Sequence, residues 1–337
     1  MNHWERMEAT LAGESTDRLP VSVWRHRPTR DQSADDLVAA MIEEQRRFDW
    51  DFAKVMSNRL HCVEDWGTEI RWPETPEVEG HVLRYAVREP EDWSRLGPLD
   101  PKRGALAREV EVIRRLAEEL GKEVPIIATL YSPLTVAFKL ADEKGGKVFD
   151  HLESHPGEVR AGLDAIAETA RRTARAYMDA GAHGVFYAVQ MAGHPRFNRD
   201  IYERFCRQDD QSVLEEVAPR SRMSLLHLHG SRLVDFDVFL GLPVEALNWH
   251  DQIIGPSMAE VRKMTRKVLA AGIPDHLAMV GKKNEELAAV FARTLRECGP
   301  RGVVLAPGCT VDHWQIEDSQ LDFIRAWAEE WRHPAWI

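Results

Sequence analysis

Eight times along this chain a short apolar run is followed by a stretch with helical periodicity. The runs lie at residues 20–24, 52–56, 126–131, 184–189, 225–230, 246–251, 277–281 and 302–308. The helical stretches lie at 34–48, 103–120, 134–180, 196–218, 233–240, 256–271, 284–298 and 316–331, and a further short helix at 3–12 opens the chain. Strands that alternate with helices need crossover connections, so they pair in parallel, and eight such units suffice to close a ring. The sequence therefore predicts an α/β chain folded as a (β/α)8 TIM barrel, one domain over residues 1–337. An open doubly wound sheet would use the same elements, but no glycine-rich dinucleotide fingerprint follows the first run. Residues 57–100 break the rhythm. There Glu69-Ile70-Arg71-Trp72 and His81-Val82-Leu83-Arg84-Tyr85 flank Pro73, Pro76 and Gly80, the pattern of a β-hairpin excursion after strand 2.

In a closed barrel the C-terminal ends of the strands converge on one mouth, where chemistry sits. The strongest constellation is Leu225-Leu226-His227-Leu228-His229-Gly230. Side chains alternate along a strand, so His227 and His229 share one face and the leucines the other. Cys309 stands at the matching strand-to-loop junction of the last run. Two neutral imidazoles and a thiolate form a set of zinc ligands, and three protein ligands with one open position is the pattern of a catalytic zinc. The alternative is that the histidines are hydrogen-bonded pocket residues and Cys309 a small buried side chain.

Other strand ends add polar groups. Arg25, Arg27 and Arg30 follow the first run and could clamp a carboxylate or form a solvated loop. Tyr131 ends the third run, and Tyr187 and Gln190 belong to the fourth. Asn248 and His250 lie on the sixth, where His250 is a candidate acid/base or a support for a metal ligand. The formal net charge of −11 argues against broad nucleic-acid binding, which needs a basic face. Cys62, Cys206, Cys298 and Cys309 show no close pairing, the polar N-terminus has no signal-like apolar stretch, and no run reaches the length of a membrane span. The expectation is a cytoplasmic enzyme with a small-molecule substrate and no membrane contact.

Several segments occur in an order and spacing that resembles the uroporphyrinogen decarboxylase superfamily. They are Asp17-Arg18-Leu19-Pro20-Val21, Phe52-Ala53-Lys54-Val55-Met56, Glu64-Asp65-Trp66-Gly67, Gly181-Ala182-His183-Gly184-Val185, the histidine strand, and Ala306-Pro307-Gly308-Cys309-Thr310. The resemblance implies a (β/α)8 barrel with one mouth-facing site, often in a homodimer. It also implies one of two chemistries. One branch decarboxylates the acetate side chains of uroporphyrinogen without metal or cofactor, using arginines after strand one and a carboxylate near the end of strand two. Arg25 matches the first of those arginines, but Ser57-Asn58 stands where the carboxylate is expected.

The other branch holds zinc-dependent methyltransferases that move a methyl group between a corrinoid carrier and a thiol. Their His-x-Cys and distant Cys become His227, His229 and Cys309 here, with histidine in place of the first cysteine. That exchange makes the site one unit more positive. No corrinoid-binding module is recognisable, so the corrinoid would come on a separate protein. The resulting expectation is a zinc-dependent methyltransferase or demethylase. His227, His229 and Cys309 hold the metal, His250, Arg25 and Tyr131 act in catalysis, and Arg27, Arg30, Gln190, Asn248 and Tyr187 contact substrate. A metal-free decarboxylase and a non-catalytic ligand-binding barrel are the alternatives.

Overall fold

The computed structural model describes residues 1–337 except 144–145, 231–234, 276–277, 300 and 332–337. Its strands among the described residues are β1 (Ala53–Lys54), β2 (Glu69–Arg71), β3 (His81–Arg84), β4 (Ile126–Tyr131), β5 (Gly184–Gly193), β6 (Leu225–Gly230), β7 (Ala246–Trp249), β8 (Val268–Ile273) and β9 (Val303–Pro307). Seven of them form one parallel sheet in the order β1-β4-β5-β6-β7-β8-β9. Chain order and sheet order coincide, each parallel neighbour being reached by a crossover connection. Helices cover the outside, so both faces of β4, β8 and β9 are buried along their whole length. That is why these strands are nearly continuous apolar runs rather than alternating ones. β2 and β3 pair antiparallel in a separate two-stranded ribbon.

The sheet curls until β9 approaches β1, and residues 20–24 fill the seam. They form a single parallel bridge, Val21 to Leu305, rather than a full strand. On one side Ser22 N donates to Leu305 O at 3.1 Å and Leu305 N to Pro20 O at 2.8 Å. On the other, Asp51 N donates to Val21 O at 2.9 Å, and Ser22 Oγ to Phe52 O at 2.7 Å.

The seam is pinned by one fully buried carboxylate, Asp51. It accepts from Arg18 Nη1 at 2.6 Å, Arg6 Nη1 at 2.7 Å, Val21 N at 2.8 Å and His3 Nδ1 at 3.0 Å. These donors tie the opening helix His3–Leu11 to the floor of the barrel. The helix Ala34–Phe48 beside the seam carries a Ser33 N-cap, Asp35 and Asp36 in its first turn and Arg46 and Arg47 in its last, as its dipole favours.

One predicted strand is misplaced. Residues 277–281 are not a strand: 278–281 are turn, and Leu277 lies outside the described residues. The seventh strand of the barrel wall is β8, inside the stretch predicted as helix over 256–271. The helix there is only Met258–Met264, and Thr265 is extended with φ −152° and ψ 157°. Val268-Leu269-Ala270-Ala271-Gly272-Ile273 has no polar face to give away its period, and its alanines suit a helix as well as a buried strand. The predicted helix at 233–240 is a short 3-10 turn at Phe236–Phe239, with residues 233–234 outside the described residues. No helix among the described residues is long and apolar enough to cross a membrane.

The seam predicts a pH dependence. Burial pulls the His3 pKa down, but its hydrogen bonds to Asp49 and Asp51, with their charges, outweigh that and raise it from 6.5 to about 9. A raised histidine stabilises the fold fully below its unfolded pKa and loses that contribution as pH rises through the folded one. Urea stability is therefore expected to fall between about pH 6.5 and pH 9, and His3→Asn to flatten this slope. An unchanged slope in the variant would assign the dependence elsewhere.

Candidate metal centre

Sheet register builds the site. Tyr131 pairs with Ala188, Ala188 with His227 and His227 with Asn248, so these four residues face the same side of the sheet. Two places further along β6 comes His229, and two places beyond Asn248 comes His250. The loop after β9 supplies Cys309. One ligand atom from each of His227, His229, His250 and Cys309 lies within 4.8 Å of every other. His227 and His250 are buried, while His229 and Cys309 are half-buried. The rings of His229 and His250 meet edge to face at 4.5 Å between centroids.

Hydrogen bonds fix which nitrogen of His227 carries the proton. Asn248 Nδ2 donates to the carbonyls of Ala270 at 2.6 Å and Pro307 at 2.9 Å, and carbonyls can only accept. Asn248 Oδ1 must therefore be the atom facing His227 Nδ1, 2.6 Å away, and it accepts the Nδ1–H. The lone pair of neutral His227 is left on Nε2. Burial, with smaller contributions from His229 and His250, holds the His227 pKa well below its ordinary value, so the ring is neutral at physiological pH. Burial also pushes the Cys309 thiol up to about 12, with Asp275 adding to the rise and Lys54 opposing it. This cysteine keeps its proton unless a cation displaces it.

Phe186 stacks on His227 at 5.0 Å, and the Lys54 ammonium lies 4.4 Å from the centroid of the same ring. Lys54 Nζ reaches Met56 Sδ at 2.9 Å, and burial lowers its pKa to about 7, Cys309 opposing. A cavity of about 290 Å³ adjoins the cluster, lined by His229, Gln190, Met191, Lys139, Arg59 and Phe138 among others. Lys139 is almost fully buried; its ammonium sits 4.9 Å from the Tyr131 ring centroid, and burial lowers its pKa.

The remaining predicted site residues divide by place. Gln190 lines the cavity and Tyr131 lies buried beside His61 and Lys139. Tyr187 has the opposite parity to Ala188. It turns outward, is fully buried, and donates its hydroxyl to Asp210 at 2.6 Å. It is part of the strand-helix packing rather than the substrate wall. The arginines are not an open clamp either. Arg25 pairs with Glu44 at 3.2 Å and Asp318 at 2.7 Å, Arg27 with Glu44, and Arg30 with Glu43 at 2.6 Å. Asn58 spends its amide on Asp31 O at 3.2 Å and its carbonyl on Leu60 N at 3.0 Å.

Sequence reasoning passed over Asp275, Lys54 and Lys139. Lys54 carried a signal, since a lysine inside an apolar strand needs a reason. Asp275 was hidden because β8 was placed after it instead of before it.

The family profile described as uroporphyrinogen decarboxylase matches residues 2–313. The uroporphyrinogen decarboxylase of Vibrio cholerae is 24% identical over 320 residues, 86% of each chain. The methylcobamide:CoM methyltransferase of Methanosarcina acetivorans is 21% identical over 233 residues, 68% of this chain and 66% of the relative. Among solved structures, a methyltransferase from Methanosarcina mazei superposes with a TM-score of 0.80 at 20% identity, covering 98% of this chain and 99% of that one. A B12-independent methionine synthase from Shewanella sp. W3-18-1 gives 0.62 at 11% identity, covering 93% and 92%. Both likenesses support the curled parallel sheet.

Replacing Asn248 tests its central place in these hydrogen bonds. Asn248→Leu leaves His227 Nδ1–H and the carbonyls of Ala270 and Pro307 without partners. The expected loss is about 2–4 kcal/mol of unfolding free energy, from roughly 1–3 kcal/mol per orphaned group after partial relaxation. Urea denaturation with an unchanged m-value measures it, and a loss under about 0.5 kcal/mol, the range of an ordinary surface substitution, would contradict it.

Proposed function

Because this chain belongs to the uroporphyrinogen decarboxylase family, we propose that it is a zinc-dependent methyltransferase or demethylase. It moves a methyl group between a corrinoid carrier or small molecule and a thiol or similar acceptor. The observation that carries this reading is the convergence of His227, His229 and Cys309, beside His250, within one 4.8 Å cluster. The residues fit the metal. Two imidazoles and a thiolate are a zinc donor set, His227 is held neutral with Nε2 as its lone-pair atom, and Cys309 has a proton to give up. A bound zinc ion would supply the positive charge that holds an acceptor thiol as its thiolate at neutral pH.

The chain's own residues do the rest. Phe186 keeps the His227 ring in place by stacking, and the adjoining cavity gives a small substrate room beside His229. Among the described residues Lys139 has no carboxylate within ion-pair distance, which leaves its ammonium for a substrate, and Gln190 offers an amide to the same space. His229 in place of a thiolate makes the cluster one unit more positive, which favours an anionic acceptor. The corrinoid would be carried by a separate protein, the enzyme would act as a homodimer, and its free cysteines suit the cytoplasm.

The second reading is a metal-free decarboxylase of uroporphyrinogen or another carboxylated small molecule. It is favoured by the long alignment with the Vibrio cholerae enzyme. Against it stand the arginines already paired with Glu43, Glu44 and Asp318.

Metal analysis of the purified protein decides between them. The expected result is about one zinc per chain, the stoichiometry of a single catalytic site, lost in both His227→Ala and Cys309→Ser. Demethylation of methylcobalamin by a small thiol would then follow zinc content. No metal uptake by the wild type, even with zinc supplied, would overturn the methyl-transfer reading.

A further inference from the structure

Asp275 lies two residues beyond β8, and its carboxylate is 1% exposed. Its Oδ2 stands 2.5 Å from His250 Nδ1. No aligned hydrogen bond reaches either carboxylate oxygen, so this close contact is its one compensation among the described residues. A buried carboxylate so poorly served is costly and calls for a reason. His250 Nε2 in turn lies 2.8 Å from His229 Nδ1. Gly308 leaves the space for this arrangement. A Cβ there would stand 2.9 Å from Asp275 Oδ2, 2.9 Å from His250 Cα and 2.7 Å from the Trp249 carbonyl oxygen.

Donor chemistry sets the order of protons along this chain. A carboxylate oxygen 2.5 Å from a ring nitrogen favours the tautomer that carries its proton on that nitrogen, so His250 is assigned its proton at Nδ1. In that tautomer of the neutral ring His250 Nε2 is an acceptor, and the proton in the second contact goes to His229 Nδ1. The lone pair of His229 is then on Nε2. We propose that Asp275 is a positioning residue which, acting through His250, fixes the tautomer in which His229 offers Nε2 to a metal. His227 acquires the same tautomer by a separate route, through Asn248. Both nitrogens of His250 face partners in this chain of contacts, so His250 would support the centre while His227, His229 and Cys309 would hold the metal. The purpose assigned to Asp275 rests on the zinc reading above; the proton order rests on the contacts alone.

Two measurements on the full-length protein test this. In the first, histidine is labelled with 15N and the imidazole resonances are recorded after chelator treatment. Wild type is expected to show His229 protonated at Nδ1, and Asp275→Asn to spread His229 over both tautomers. Asp275→Ala, which removes the acceptor without burying an amide, is expected to do the same and serves if the first variant does not fold. In the second, zinc affinity is read by competition with a chromophoric chelator. Asp275→Asn is expected to weaken zinc roughly 10–100-fold, the usual cost of losing such a support, and to weaken it no further when added to His250→Leu.

Wild-type His229 protonated at Nε2, or unchanged tautomers in both variants, would overturn the proposal. So would an equal loss of zinc affinity in the His250→Leu background, which would make Asp275 a ligand or a bare charge. If wild type takes up no zinc, the metal reading fails, and the resonances still decide whether Asp275 governs the His229 tautomer.

Discussion

Everything at the mouth of this barrel depends on closing a sheet whose last joint is thin. β1 has two residues, and the segment beside it contributes one bridge to β9. A parallel ladder that short cannot hold a ring by backbone hydrogen bonds alone. The joint is completed by Asp51, whose two oxygens gather donors from the opening helix, from Arg18 and from the backbone of Val21. A buried carboxylate is tolerable only when nearly every lone pair is used, and here its neighbours hold its pKa below the ordinary carboxylate range despite burial. Because the loop after β9 carries Cys309 and β1 carries Lys54, a seam that opened would part those two first.

The charge pattern inside differs from that outside. The chain as a whole is acidic, with a formal net charge of −11. Within the barrel, two lysines lie buried against aromatic rings without a carboxylate in ion-pair range among the described residues, and His227 is neutral. Arginines near the mouth are handled in the opposite way, being matched to glutamates on the adjoining helix. These two lysines thus lie beside the cavity and the histidine cluster, where burial lowers their pKa values and Asp275 is the buried carboxylate against His250.

Much of this was legible in the residues. The parallel sheet announced itself because strands covered on both faces must be short apolar runs. Alternation alone put His227 with His229 on one face of their strand. The failures have physical causes. Val268–Ile273 carries no polar face, so its period could not be told from that of the helix before it, and the shift concealed Asp275. Tyr187 was assigned to the wrong side because its parity is set by the pairing of Ala188 with His227, a fact of register between strands. Arg25, Arg27 and Arg30 looked free because Glu43 and Glu44, their partners, belong to the next helix and meet them only in three dimensions.

The proton held by Cys309 bears on the life of the protein before any partner or ion arrives. Peroxides and alkylating agents attack thiolates, and a thiol with a pKa near 12 exposes almost none at neutral pH. Cys62 is raised to about 12 by burial too, and Cys206 and Cys298 are also shifted upward. A freshly folded chain is therefore chemically quiet at all four sulfurs. Cys309, the half-buried one, gains thiolate character only when a cation displaces its proton, so the sulfur its site depends on is called up by the occupant itself.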